Sequence, residues 1–187
     1  MTSQALLDQA QQASQSIVTE VEGQFLPLDE AVLRHRPAQA QWNALDCLEH
    51  LSLTYDHYLP RIKAAIQQGT PQPAHEEYKS GWLGRQAIQA MQPREGGTIS
   101  FKMKAFARIV PRTDDYPAEE ILRRFIAHQE SFEQLAQEAR TVSLNKVRVI
   151  TLAGPLVRLR LGDCFRFLLA HDQRHLLQAR RAIKNKA

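Results

Sequence analysis

Cysteine is nearly missing from this 187-residue chain: Cys47 and Cys164 are the only two, far apart and outside any CxxC pair. That excludes a disulfide framework or a cysteine-built zinc finger, and buried reduced thiols are the expectation. Long apolar runs are missing too. No stretch reaches the ~18 residues of a membrane span. The start, MTSQALLDQAQQ, has neither the basic nor the apolar region of a secretory signal, so the chain is expected in the cytoplasm and away from membranes. Charge of one sign is never concentrated. The net charge is +4 and the pI about 9.3, but Lys and Arg are scattered, and no helix carries the clustered basic residues of a nucleic-acid reader, so nucleic acid is not an expected partner. Nor is there a nucleophilic triad, a glycine loop that could cradle phosphate, or a nucleotide motif.

What the chain does have is helical periodicity. A hydrophobic content of 43% with 24% charged residues suits a globular protein, and the length suits one domain over 1–187. Leu6, Ala10, Ala13, Ile17 and Val21 recur at three- and four-residue steps, which predicts a first helix from Thr2 to about Gln24. A second begins at Asn43 as N-cap and carries Leu45, Leu48, Tyr55, Leu59, Ile62 and Ile66 towards Gly69, with Pro60 predicting a kink or an early stop. The third starts at Tyr116 and Pro117, with Glu119 and Glu120 in its first turn and Ile121, Phe125, Phe132 and Leu135 on its stripe. The fourth covers about Gly162 to Ile183. Runs of β-branched residues at 98–101 and 147–152 predict at most a brief extended stretch in the second, and neither could sustain a sheet alone. Four such amphipathic helices imply an all-α helical bundle.

Thr70 to Tyr116 is too long for an ordinary inter-helix connection, so it is either a crossover or a functional loop. GWLGRQAIQAM at 81–91 could give it a short helix. The segment is also basic: Lys79, Arg85, Arg94, Lys102, Lys104, Arg108 and Arg112 face only Glu95 before Asp114. It reads either as a solvated loop or as a rim attracting an anionic substrate, with Arg85, Lys102, Lys104 and Arg108 as its steering charges.

Histidines carry the chemistry. His171 and His175 stand one turn apart on one helix face, together with Cys164, Leu168 and Gln178. Two neutral imidazoles so placed can share a metal, or each can hydrogen-bond to a neighbouring helix. The same wheel sets His50 off the apolar stripe of the second helix, which predicts a surface position unless that helix is flanked on two sides. His128 lies on the stripe of the third helix with Phe125 and Phe132, as a satisfied core histidine or as an extra ligand. His35, His57 and His75 show no partner pattern.

Two segments resemble a known family. LRHRPAQAQWNALDCLEHL at 33–51 is similar to the pattern of the DinB/YfiT-like superfamily of metal-binding four-helix bundles: Arg36, Pro37, Trp42, His50 and Leu51 match, Asn43 replaces the usual serine, and Asp46 stands where glutamate is common. GDCFRFLLAHDQRHLLQARR at 162–181 is similar to the family's terminal helix, with His-x3-His followed by Gln178. The resemblance spans the chain. It implies a four-helix bundle with a long connection between helices two and three, and a divalent metal, zinc or nickel, held by His50, His171 and His175. Three neutral nitrogens leave an open position, the arrangement of a catalytic rather than a structural site. The implied activities are a metal-dependent transferase using a low-molecular-weight thiol, or a hydrolase; the alternative is a non-catalytic metal-binding or stress-associated interaction bundle. A small-molecule substrate or thiol is the expected partner, a homodimer is compatible, and the catalytic residues are unknown. Glu49 and Asp172, each beside a ligand, are candidates to support the site or to act as acid or base, although neighbours on a helix point elsewhere.

Overall fold

The structure is a computed structural model that describes residues 1–94, 97, 105–114 and 116–184. It is mostly helical. Six α-helices are described: α1 (Ser3–Gln24), α2 (Glu30–Leu33), α3 (Ala44–Gln67), α4 (Trp82–Met91), α5 (Ala118–Glu138) and α6 (Leu161–Lys184). The caps the residue types call for are made. The Thr2 hydroxyl accepts from the Ala5 amide at 3.1 Å and starts α1. At α3, the Asn43 side chain accepts from the Asp46 amide at 2.7 Å while the Asp46 carboxylate accepts from the Asn43 amide at 3.1 Å, a reciprocal capping box.

The four long helices share one core, in which α3 packs on α5 and α6, and α1 packs on the same two from the far side. Tyr55, Phe125, Phe132 and Phe165 fill the centre, with Tyr55 edge-on to Phe132 at 5.8 Å and Phe132 edge-on to Phe165 at 5.2 Å. Each such side chain contributes about 1.5–3 kcal/mol by leaving water. That term explains why Pro60 does not end its helix. Its neighbours Tyr58, Leu59, Ile62 and Ile66 are all buried, and α3 runs through it to Gln67. No helix among the described residues is long and apolar enough to cross a membrane.

The run at 147–152 does more than expected. Arg148–Thr151 (β1) pairs antiparallel with Gly154–Arg160 (β2), Val149 opposite Leu159, with an irregularity at Ile150/Thr151. A lone hairpin is marginal in water. This one holds because Val149 and Leu159 are buried in the main core and because β2 leads directly into α6. The run at 98–101 lies outside the described residues.

Helix α4 occupies 82–91, as the pattern at 81–91 predicts, and packs on α6 through Ile88, Met91 and Ala170. Asp163 anchors its start: the carboxylate accepts from Tyr78 Oη at 2.5 Å, Ser80 Oγ at 2.5 Å and the Gly81 amide at 3.0 Å. The approach is so close that a Cβ on Gly84 would stand 2.2 Å from Asp163 Cγ. We therefore expect Gly84→Ala to lift α4 from α6 and to cost roughly 1–3 kcal/mol of stability, the usual penalty of overpacking. Denaturant unfolding checks this, and an unchanged midpoint would show that α4 is not seated as described.

Candidate metal centre

His50 is 3% exposed, His171 5% and His175 7%. The wheel objection to His50 is answered by the second buried side of α3. Near its N-terminus that helix is covered by α6 and by a 3-10 turn at Ala107–Ile109, so that every residue from Ala44 to Ser52 is buried. The long connection supplies that cover. Thr113 is tied to the capping carboxylate of Asp46 (2.8 Å), which Arg36 also pairs at 2.5 Å, and Arg34 donates to the Thr113 carbonyl at 2.9 Å. The arginine-proline segment, the helix cap and the loop thus form one polar knot beneath His50.

One ring nitrogen from each of His50, His171 and His175 lies within 4.8 Å of the others. His50 donates Nδ1–H to the Ile109 carbonyl at 2.7 Å, which leaves its Nε2 lone pair facing His171 Nε2 at 3.1 Å. Orientation of one ring nitrogen by a backbone carbonyl is how metal-binding histidines are commonly held. Trp42 closes the cluster, 4.8 Å from the His50 ring and 5.7 Å from His175, and Phe167 stacks on His171 at 5.8 Å.

Burial pushes His171 and His175 well below their ordinary range, and the positive charge of nearby Arg174 adds to the shift. His50 is lowered for the same reason, partly offset by the Ile109 carbonyl. All three are therefore neutral near pH 7, the form that binds metals. The donor set fits a metal. Two nitrogens bound tetrahedrally at ~2.0–2.1 Å from one ion stand about 3.3 Å apart, close to the observed 3.1 Å. His171 Nδ1 and His175 Nδ1 are buried and make no hydrogen bond among the described residues.

His128 is not part of this group. It stacks on Tyr55 at 6.0 Å and bonds through Nε2 to Asp56 at 2.9 Å. Glu49 pairs with Arg124 at 3.0 Å. Asp172 points away from the imidazoles, accepting from Tyr55 Oη at 2.6 Å and Gln129 at 3.2 Å, and burial raises it to about 7. These two carboxylates brace the helices behind the site and do not reach it. Cys47 and Cys164 are free and buried in the core, their thiols pushed up by burial.

The imidazoles open onto a cavity of about 920 Å³. Its walls come from α3, α4, α6, the 105–109 segment and the hairpin, which contributes Thr151, Leu152, Val157 and Leu159. Arg85 and Arg108 are exposed and outside the lining, whereas Lys102 and Lys104 lie outside the described residues. Among the described residues, the cations that line it are Arg174 and Arg181. Periodicity could have found Arg174, which follows His171 by three residues and shares its face. The Ile109 carbonyl and the hairpin wall had no such signal.

A family model described as the DinB superfamily matches residues 6–179. No curated protein and no solved structure matches the chain.

Proposed function

We propose, for a chain that belongs to the DinB superfamily, that it is a four-helix-bundle enzyme whose divalent metal, zinc or nickel, is held by His50, His171 and His175. The observation that carries this reading is the convergence of three neutral, buried ring nitrogens at the edge of a cavity large enough for a small molecule. A metal held there would supply Lewis-acid activation at its open position. The protein's own part is positional. Ile109 sets the His50 tautomer, and Trp42 and Phe167 fix the planes of the rings. Much of the cavity wall is apolar.

The reaction class follows from what lines the cavity. Among the described residues no Cys, Asp, Glu or Lys faces it, and both thiols are sequestered in the core. The hydroxyls that line it are committed elsewhere, Thr54 donating to the His50 carbonyl and Thr151 to the Val157 carbonyl, while burial pushes the Tyr58 phenol up; the proposed nucleophile is therefore a diffusible one, a low-molecular-weight thiol or water, and the proposed reaction a transfer to an electrophile or a hydrolysis. The proposed setting is cytoplasmic, with a small-molecule partner rather than nucleic acid. A screen of zinc- and nickel-loaded, tag-free protein against electrophiles with several thiols tests this. Turnover that disappears on metal removal and returns on reloading is expected. A metal-replete protein that binds no thiol, gives no ligand-induced change in a cobalt-substituted spectrum and turns nothing over would leave a non-catalytic metal-binding module.

A further inference from the structure

Residues 105–114 lie against the first half of α3 as a strap held at two points. Within that stretch Ile109 and Thr113 alone are buried. Both meet α3. The Ile109 carbonyl accepts from His50 Nδ1–H at 2.7 Å, and the Thr113 hydroxyl donates to Asp46 Oδ1 at 2.8 Å. Asp46 and His50 are four residues apart, so the two attachment points stand one turn, about 6 Å, apart on one face of the helix.

The segment between the two points is stiff. Pro111 fixes its own φ and keeps the residue before it out of the helical region, and Val110 is extended, with φ −76° and ψ 122°. A displacement at Thr113 is therefore passed on to the Ile109 carbonyl. The anchor itself has one orientation. Asp46 is buried, and its second oxygen accepts from the Asn43 amide at 3.1 Å and pairs with Arg36 at 2.5 Å, so the carboxylate cannot turn without breaking the cap of α3. Arg34 holds the backbone of the same stretch through the carbonyls of Thr113 (2.9 Å) and Tyr116 (2.6 Å), which keeps the strap on the bundle even where the hydroxyl is lost.

Which nitrogen of a neutral imidazole carries the proton is set by the hydrogen bond that the other one makes. With Nδ1–H given to Ile109, the Nε2 lone pair of His50 faces His171 Nε2 at 3.1 Å. A carbonyl out of place would let the proton sit on Nε2, which takes one donor out of the cluster.

We propose that Thr113 is a positioning residue for the candidate metal centre: its bond to Asp46 holds the strap in register, the strap holds the Ile109 carbonyl on His50, and that carbonyl keeps the His50 Nε2 lone pair turned towards His171 and His175. The effect on metal affinity rests on the metal reading, whereas the effect on the tautomer does not.

The test is nitrogen-15 NMR of the three rings in the full, metal-stripped chain, together with zinc affinity by chelator competition. In the wild-type protein His50 should be protonated at Nδ1 alone. Thr113→Val, close in shape but without the hydroxyl, should give a mixture of His50 tautomers while His171 and His175 keep theirs. It should also weaken zinc roughly tenfold, the lower end of the range for a group that orients a ligand. Thr113→Ser, which keeps the hydroxyl, should restore both. A general loosening of the fold would instead disturb all three rings. His50 protonated at Nε2 in the wild-type protein overturns the proposal, and that measurement needs no variant to fold. An unchanged His50 tautomer in Thr113→Val overturns it as well, as does Thr113→Ser behaving like Thr113→Val. If zinc is not bound by the histidines while the Thr113-dependent tautomer persists, the metal reading fails and this one stands; stoichiometric zinc with a tautomer indifferent to Thr113 is the reverse.

Discussion

His50→Ala, His171→Ala and His175→Ala are each expected to strip the protein of its metal, and His128→Ala to leave the stoichiometry unchanged. Loss of an outer-shell partner typically lowers metal affinity roughly 10–100-fold, and loss of a ligand nitrogen should exceed that. The reason is geometric. His50 and the α6 pair present nitrogens within 4.8 Å of one another, while the His128 ring is committed to Asp56 and Tyr55 on the other side of α3. Elemental analysis of tag-free protein and chelator competition measure the effect. Full metal in His50→Ala together with loss in His128→Ala would mean that the third ligand is misassigned.

Metal removal should also lower the melting temperature. A ligand held at a free concentration about a thousand times its Kd stabilises the native state by about 4 kcal/mol. At roughly 2–4 °C per kcal/mol for a chain of this size, the loss is roughly 8–16 °C, and a variant lacking all three imidazoles should show none of it. The metal-stripped protein should in addition weaken in acid. His50, His171 and His175 have folded values below their unfolded value of 6.5, so the unfolded chain binds more protons in that range. Their contribution is complete above 6.5 and is lost as pH falls from there through the lowered folded values. Asp172 acts in the opposite sense. Its folded value is raised from 3.8 to about 7, so its contribution is complete below 3.8 and is lost as pH rises through about 7. His57 and His128, also lowered by burial, act with the three imidazoles, and Glu49, raised by burial, acts with Asp172; five groups against two leave a net fall in stability from pH 7 towards pH 5. Thermal scans across that range decide it, since a melting temperature that is flat or rises on acidification would mean the imidazoles are not buried as neutral groups.

Local chemistry determined the helices of this protein. Thr2 and Asn43 cap where their side chains can accept amide protons, Pro117 opens a first turn rich in glutamate, and the apolar stripes repeat at the helical period, so α1, α3, α5 and α6 could be placed from residue types alone. The one-turn spacing of His171 and His175 belongs to the same class of information, because both lie on one helix. Long-range packing decided the rest. Whether His50 is buried depends on what covers the second side of α3, and the cover comes from residues about sixty positions away. Pro60 leaves its helix intact because the helix is held by core contacts rather than by one backbone bond. The hairpin exists because Val149 and Leu159 find a core that neither strand makes alone. The exposed charges Arg85 and Arg108 are prominent in the sequence, yet among the described residues the cations in the cavity are Arg174 and Arg181, since α4 folds back onto α6 and encloses that face. Spacing along one helix is fixed by its 3.6-residue turn, whereas contact between segments is settled only when their apolar faces compete for the same core.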